Sequence, residues 1–262
     1  MIYLIPVILG AVMSETYFMW QESLNRYWNY DYNGSFGDCL MYIFRGIREF
    51  NPQIEKVFEV PIVYLAINII IALFIGNHAV KDLKGFGLKK LIRYDSRLRW
   101  WLNACIWNVL CVIKYYAAFY VGTVAMCLVH SDRMDAASPV LIHEDIIDRM
   151  FCGEAEGVIE AYTLFCMIIV LPVLTTMAMS MFQMAMEFFV IPAVSFICVM
   201  SVYVLSVFYM KWFMPGNYMM AYRMIPVNSD GISFGISLIF DIGISVVSVF
   251  VGYMCFRKYD VI

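Results

Sequence analysis

Between positions 60 and 76 the chain reads VPIVYLAINIIIALFIG, without a single charge. Such a run offers water no polar face. It also has the length of a helix that crosses a bilayer, which takes about 20 mostly apolar residues, roughly 17–25. Five further runs share this character: 2–20 with Glu15 inside it, 103–129 with Lys114, 158–179, 188–209, and 232–256 with Asp241. Composition adds the same constraint. Of 262 residues, 63% are hydrophobic and 15% charged, against roughly 45–50% and about 25% in a soluble domain. The surplus apolar surface must face lipid. The runs are continuous and lack the period-two alternation of a transmembrane barrel. The expected fold is an all-α integral membrane bundle of six transmembrane helices, one domain over residues 1–262 with no soluble domain.

Loop charges orient such a bundle, because Lys and Arg accumulate on its cytoplasmic side. Between the second and third runs lie Lys81, Lys84, Lys89, Lys90, Arg93, Arg97 and Arg99, against Asp82 and Asp95. After the third run the balance reverses, with Asp132, Asp135, Glu144, Asp145, Asp148, Glu154 and Glu156 against Arg133 and Arg149. The first segment belongs inside and the second outside. Both chain ends then lie in the cytoplasm, the tail opening with Arg257-Lys258. External segments fall at about 21–59, 130–157 and 210–231, and a short inner turn at 180–187 joins the fourth and fifth runs. Trp20, Trp28, Trp100, Trp101, Tyr209 and Trp212 sit near the interfaces, as an aromatic belt does. The first run has no Lys or Arg before it and no small-x-small cleavage site after it, so it is expected to stay in the mature chain. If it only lies on the membrane, five spans remain and the C-terminus is still inside.

Pro6, Pro172 and Pro192 fall within runs. Each would cost about 3 kcal/mol inside a soluble helix, but neighbouring membrane helices can satisfy the carbonyls that proline frees. The eight cysteines show no CxxC spacing and no histidine at ligand distance, so no metal-ligating residue is expected. Only Cys39 and Cys152 fall outside the runs, and a disulfide between them is one reading. His78, His130 and His143 sit singly at or beyond run ends. The chain has no G-x-x-x-x-G-K-[ST] phosphate loop, no G-x-S-x-G and no H-E-x-x-H. No catalytic or cofactor-binding residue is therefore expected. A G-x-x-x-G at Gly231 and Gly235 is either a helix-packing site or a chance match in an apolar chain.

The stretch 81–101, KDLKGFGLKKLIRYDSRLRWW, interleaves Leu88, Leu91, Ile92 and Leu98 with Lys89, Lys90, Arg93, Arg97 and Arg99. This suits a helix along the cytoplasmic interface, its basic side chains snorkelling to headgroups. Either the charges only hold the loop inside, or they present a surface helix to a cytoplasmic partner. The I-R-x-x-S-R-x-x-W-W pattern from Ile92 to Trp101 is similar to a stretch in small permeases of peptide and bacteriocin export or immunity operons. Together with the six-run layout and the ending Gly252-Tyr253-Met254-Cys255-Phe256-Arg257-Lys258-Tyr259-Asp260-Val261-Ile262, it makes the whole chain resemble the ABC-2-type membrane permeases. The segment 210–231 departs from that family, being shorter and more polar than a pair of re-entrant helices.

The resemblance implies the membrane subunit of an ATP-driven ABC exporter in a bacterial plasma membrane. ATP and Mg would be bound by a separate cytoplasmic ATPase, and a second permease copy or a related permease would complete the pathway. Docking of the ATPase is implied at 84–99, through Lys84, Lys89, Lys90, Arg93, Arg97 and Arg99. The second docking point is the turn 180–187, where Glu187 is the only charge. The expected cargo is a peptide or other amphipathic molecule, and no basic arm points to nucleic acid. Two competing readings are a non-transporting immunity or accessory membrane protein that binds a peptide, and a polytopic membrane enzyme.

Lys114 and Asp241 stand out because an isolated charge at the bilayer centre costs at least about 2.5–3.5 kcal/mol. At 1.5 Å per residue, Lys114 lies roughly 16 Å from the inner end of its run and Asp241 roughly 14 Å from the outer end. Both fall near the midplane of a core about 30 Å thick. They are expected to pair, within one subunit or across a dimer, as a structural ion pair or along a substrate path.

Overall fold

The computed structural model describes residues 4–28, 33–49, 58, 60–75, 80, 82–83, 96–130, 134, 161–225 and 227–258. Among them run α1 (Leu4–Trp28), α2 (Phe36–Phe44), α3 (Ile62–Ile75) and α4 (Arg97–His130). Then comes α5, in which Ala161–Phe165 continues through a π-helical turn, Cys166–Val170, into Leu171–Met186. Helices α6 (Pro192–Phe208) and α7 (Phe234–Lys258) follow, with two 3-10 turns, Pro215–Met219 and Ala221–Arg223, between them. Among the described residues the only β pairing is a bridge between Met224 and Ile232. The architecture is all-helical, as continuous apolar runs require.

Three helices are long and apolar enough to cross a membrane: α4, the 162–186 part of α5, and α7. Helices α3 and α6 are equally apolar but shorter, at 14 and 17 residues. Helix α1 has the length, 25 residues, but it carries Glu15 and Glu22 and is not among the three.

Three boundaries differ from the sequence expectation, the first being that α1 continues to Trp28 rather than ending at about 20. Helix α4 starts at Arg97 rather than 103, with the Ser96 hydroxyl accepting from the Arg99 N–H at 3.4 Å. The apolar run marks where side chains stop reaching water, whereas the backbone ladder begins earlier, at a residue able to cap it. The inner turn expected at 180–187 is helix as far as Met186. Nothing in SMFQMAM breaks a helix, and the break comes where Pro192 holds Ile191 in an extended conformation. Pro192 therefore opens α6, where its missing N–H is not needed.

Pro172 does lie inside a continuous helix, and the structure shows how it is tolerated. Its ring removes the N–H that would have bonded the Ile168 carbonyl. The π-turn just before it lets the Leu171 N–H reach the Cys166 carbonyl. The orphaned Ile168 oxygen accepts instead from the Tyr120 hydroxyl of α4 at 3.1 Å.

Helices α1 and α4 cross on two glycines. A Cβ on Gly10 would stand 2.1 Å from the Phe119 carbonyl oxygen, and one on Gly122 would stand 2.1 Å from that of Val7. The backbones touch there, so no side chain fits. The G-x-x-x-G at Gly231 and Gly235 has no such role within the chain. Gly231 lies in the turn closing on Met224, and a Cβ on Gly235 would meet nothing within 4 Å. Around the real crossing the main apolar core collects Tyr17, Ile43, Ile67, Tyr116, Phe119 and Leu171 from α1 to α5. A second cluster joins the ends of α4, α5 and α7 through Trp100, Trp101, Met184, Phe188 and Phe256.

The segment before α7 hangs on Arg223, whose side chain is wholly buried. Its Nε donates to the Ile47 carbonyl at 2.8 Å, and Nη2 donates to the carbonyls of Val207 at 2.6 Å and Arg48 at 3.3 Å. Its Nη1 donates to the Ser206 carbonyl and the Asn217 Oδ1. The guanidinium thereby caps the open carbonyls at the C-terminus of α6 and ties the stretch after α2 to them. Gly46, at φ 69°, brings that stretch against Met220, whose Cβ would meet a glycine-borne Cβ at 2.4 Å.

Two outcomes follow for unfolding measured in micelles. Gly122→Leu should lose more than about 2 kcal/mol, while Gly235→Ala stays within about 0.5 kcal/mol of the parent. Arg223→Met, which strands several carbonyls, should lose about 3 kcal/mol or more. Arg223→Lys should recover only part of that, because a point charge cannot serve acceptors on three sides.

Candidate functional site

Helix α5 carries polar side chains into the middle of an apolar bundle, and each meets a neighbour. The Tyr116 and Thr176 hydroxyls lie 2.8 Å apart. The Ser180 hydroxyl donates to Asn108 Oδ1 at 2.7 Å, and Asn108 Nδ2 donates back to the Ser180 carbonyl at 3.2 Å. Gln183 Nε2 donates to the Ala72 carbonyl of α3 at 3.2 Å. The Thr175 hydroxyl donates to Oδ2 of Asp241 in α7 at 2.7 Å. In an apolar interior that offers few other partners, these contacts set how the helices face each other.

Asp241 is 2% exposed, and its Oδ1 is buried with no hydrogen-bond partner among the described residues. It lines an open cavity of ≈ 510 Å³ between α4, α5 and α7. The remaining lining is almost entirely apolar, including Leu102, Met177, Val249 and Phe250. The Trp101 indole sits on this wall, donating to the Val249 carbonyl at 2.9 Å. Gly252 makes room for it, since a Cβ there would stand 2.4 Å from the ring. The cavity is within the usual range of ligand pockets, roughly 300–1,000 Å³, with an apolar lining and one placed polar group.

The expected pairing of Lys114 with Asp241 is not formed within the chain. Lys114 is exposed on α4, and Asp241 bonds Thr175 instead. Helix α4 is apolar on every side, so spacing alone could not say which face Lys114 takes. A long flexible stem on an outward face lets an ammonium snorkel rather than seek a buried partner.

At the other end of the groove, Arg97 and Arg99 are exposed on the first turn of α4. Arg97 Nη1 donates to the carbonyls of Arg257 at 2.7 Å and Phe256 at 3.3 Å, capping α7. Glu187 follows α5 but is 4% exposed, so its charge is not displayed as a docking contact would need. Lys84, Lys89, Lys90 and Arg93 lie outside the described residues. So does Cys152; Cys39 is a free thiol, buried beside Cys127 of α4. His130 pairs with Glu15 at 3.1 Å across the ends of α4 and α1. The described residues contain no group of three His, Cys, Asp or Glu that could hold a metal ion.

A family model described as "Protein of unknown function (DUF2705)" matches residues 8–262. The chain belongs to this DUF2705 family. Comparison with curated proteins and with solved structures gives no match. Within this family member, Thr175 is a site residue that the sequence did not single out, and Trp101 stood out only as an interfacial tryptophan and as the end of the W-W pattern. Threonine is unremarkable in an apolar run, and Trp101 reads equally well as an interfacial tryptophan.

The charge-swap experiment has a definite expected result. Lys114→Met should change folding stability by no more than about 0.5 kcal/mol. Lys114→Asp combined with Asp241→Lys should recover none of the stability lost by Asp241→Lys alone, giving a coupling below about 0.5 kcal/mol in unfolding titrations.

Proposed function

We propose that this chain is the membrane permease subunit of an ATP-driven exporter, with its ATPase on a separate cytoplasmic chain. The observation that carries the reading is the groove, an apolar cavity open along three helices with one buried carboxylate in its wall. That shape suits cargo with an apolar body. Because the sequence lacks a phosphate-binding loop, this reading puts nucleotide hydrolysis on a partner.

In this reading α1, α3, α4, α5, α6 and α7 are the six spans, both ends are cytoplasmic, and α2 stays on the outer side. Helix α4, about 50 Å long at 1.5 Å per residue, exceeds a core of about 30 Å. In this reading the excess puts Arg97 to Trp101 at the inner surface. Helices α3 and α6, at about 21 and 26 Å, fall short of the core, and α6 is completed by the 209–224 segment. The irregular backbone there is mostly buried in protein, the condition under which it survives at membrane depth. The basic segment 84–99 leads directly into α4, so an ATPase seated on it would push on a wall of the groove. Two subunits, identical or related, would enclose the path. The accessory-protein reading uses the same groove to hold a peptide without any ATPase.

Co-expression with the ATPase encoded nearest its gene separates these readings. The two chains should copurify, and replacing Lys89, Lys90 and Arg93 by Gln should weaken association at least about tenfold, since it removes three charges from one contact. Failure of any ATPase to copurify, or indifference to the triple substitution, removes the coupling mechanism and leaves the accessory reading.

A further inference from the structure

We infer that the groove between α4, α5 and α7 binds an amphipathic cation, its ammonium or guanidinium on Oδ1 of Asp241 and its apolar tail along Met177, Val249, Phe250 and Tyr253. The inference rests on the exporter reading for its purpose, because it names the class of molecule the groove would carry. Its physical basis is separate. The Asp241 carboxylate lies 2% exposed on the wall of an open ≈ 510 Å³ cavity. Thr175 satisfies one oxygen at 2.7 Å, and the other is buried with no partner among the described residues. Placing such an oxygen in apolar surroundings is costly unless a donor or a cation meets it. Nothing else on the cavity wall carries charge. Lys114, the basic residue expected near it from the sequence, is exposed on α4.

The cavity also fits the rest of such a molecule. From Asp241 to Tyr253 the lining follows α7 for about 18 Å at 1.5 Å per residue. Leu102, Met177, Met181, Val249 and Phe250 give that length an apolar wall. Lipid tails can also enter such a wall but bring no donor, and a neutral alcohol brings one O–H but no charge to match the carboxylate's, so its hydrogen bond is the weaker one. The carboxylate is therefore the selector for cations over neutral and anionic amphiphiles.

The test uses the full chain in lipid nanodiscs without any ATPase, and dodecylamine with a terminal diazirine as the probe. After illumination, adducts are mapped by mass spectrometry. Labelling is expected on the lining residues of α4 and α7 from Leu98 to Leu102 and from Val246 to Tyr253. Excess unlabelled dodecylamine should remove it, and dodecanol or dodecanoate should not. Asp241→Asn should lower labelling at least about tenfold, and Asp241→Glu should retain most of it. Equal competition by dodecanol overturns the inference, and this arm needs no variant to fold. Undiminished labelling of a folded Asp241→Asn chain overturns it too. A third overturning result is labelling that appears only in Lys114→Met, because the carboxylate would then be held by the lysine of a second copy. Loss of the ATPase association would leave all of these outcomes readable, so the two proposals fail separately.

Discussion

Helix α5 must bring Thr175, Thr176, Ser180, Gln183 and Pro172 through an apolar bundle that has no water to spare, and the positions of its neighbours follow from that requirement. Thr175 faces α7, Thr176 and Ser180 face α4, and Gln183 reaches α3. The carbonyl freed by Pro172 points to Tyr120 of α4. Hydrogen bonds between membrane helices average only about 0.6 kcal/mol each, so they supply little of the stability. Their force is in the alternative. Rotating α5 by a fraction of a turn would leave Gln183 or Ser180 buried without a partner, at about 1–3 kcal/mol per group. The contacts therefore fix the rotation of a helix whose apolar surface would accept many.

Two buried charges, Arg223 and Asp241, meet the same cost in opposite ways. Arg223 is saturated, its donors going to carbonyls of Ile47, Arg48, Ser206 and Val207 and to Asn217. Such a cation holds a fold together and has nothing left for a ligand. Asp241 has one donor and one open oxygen beside a cavity. A buried oxygen that lacks a partner and borders a cavity of ligand size is a candidate binding group, and Asp241 meets both conditions. Lys114 takes a third course, remaining on the outer face of its helix.

The apolar runs made the helices legible, because length and hydropathy are one-dimensional properties. Helices α3, α6 and α7 begin and end within a few residues of their runs. What hydropathy could not convey was backbone continuity. Helix α4 begins before its apolar run, and α5 persists through 180–186 because no residue there breaks it. Helix α2 was legible by another signal, which the hydropathy reading passed over. Ser35 and Asp38 form a capping box, with the Ser35 N–H donating to Asp38 Oδ2 at 2.8 Å, and SFGD announces it in the sequence. Asp241 stood out by its charge alone, but its partner Thr175 did not. The crossing at Gly10 and Gly122 was hidden because the two glycines come from distant runs, whereas the G-x-x-x-G spacing was visible and joins no helices among the described residues.

The groove has a mechanical asymmetry that bears on the exporter reading. Helices α4 and α7 are fastened together at one end, where Arg97 caps α7, Trp101 bonds Val249, and Trp100 and Phe256 pack at 4.7 Å. Beyond that end the cavity separates them as far as Asp241. A load applied to the segment before Arg97 would act on the joined ends and turn α4 and α7 together against α5. The Thr175–Asp241 hydrogen bond spans the interface that such a turn would shear. Breaking it would leave the carboxylate without its last donor, so the bundle would resist the movement until a cation took that donor's place. On the exporter reading the occupied groove would then move more readily than the empty one, the condition a transporter needs if hydrolysis is to be coupled to cargo.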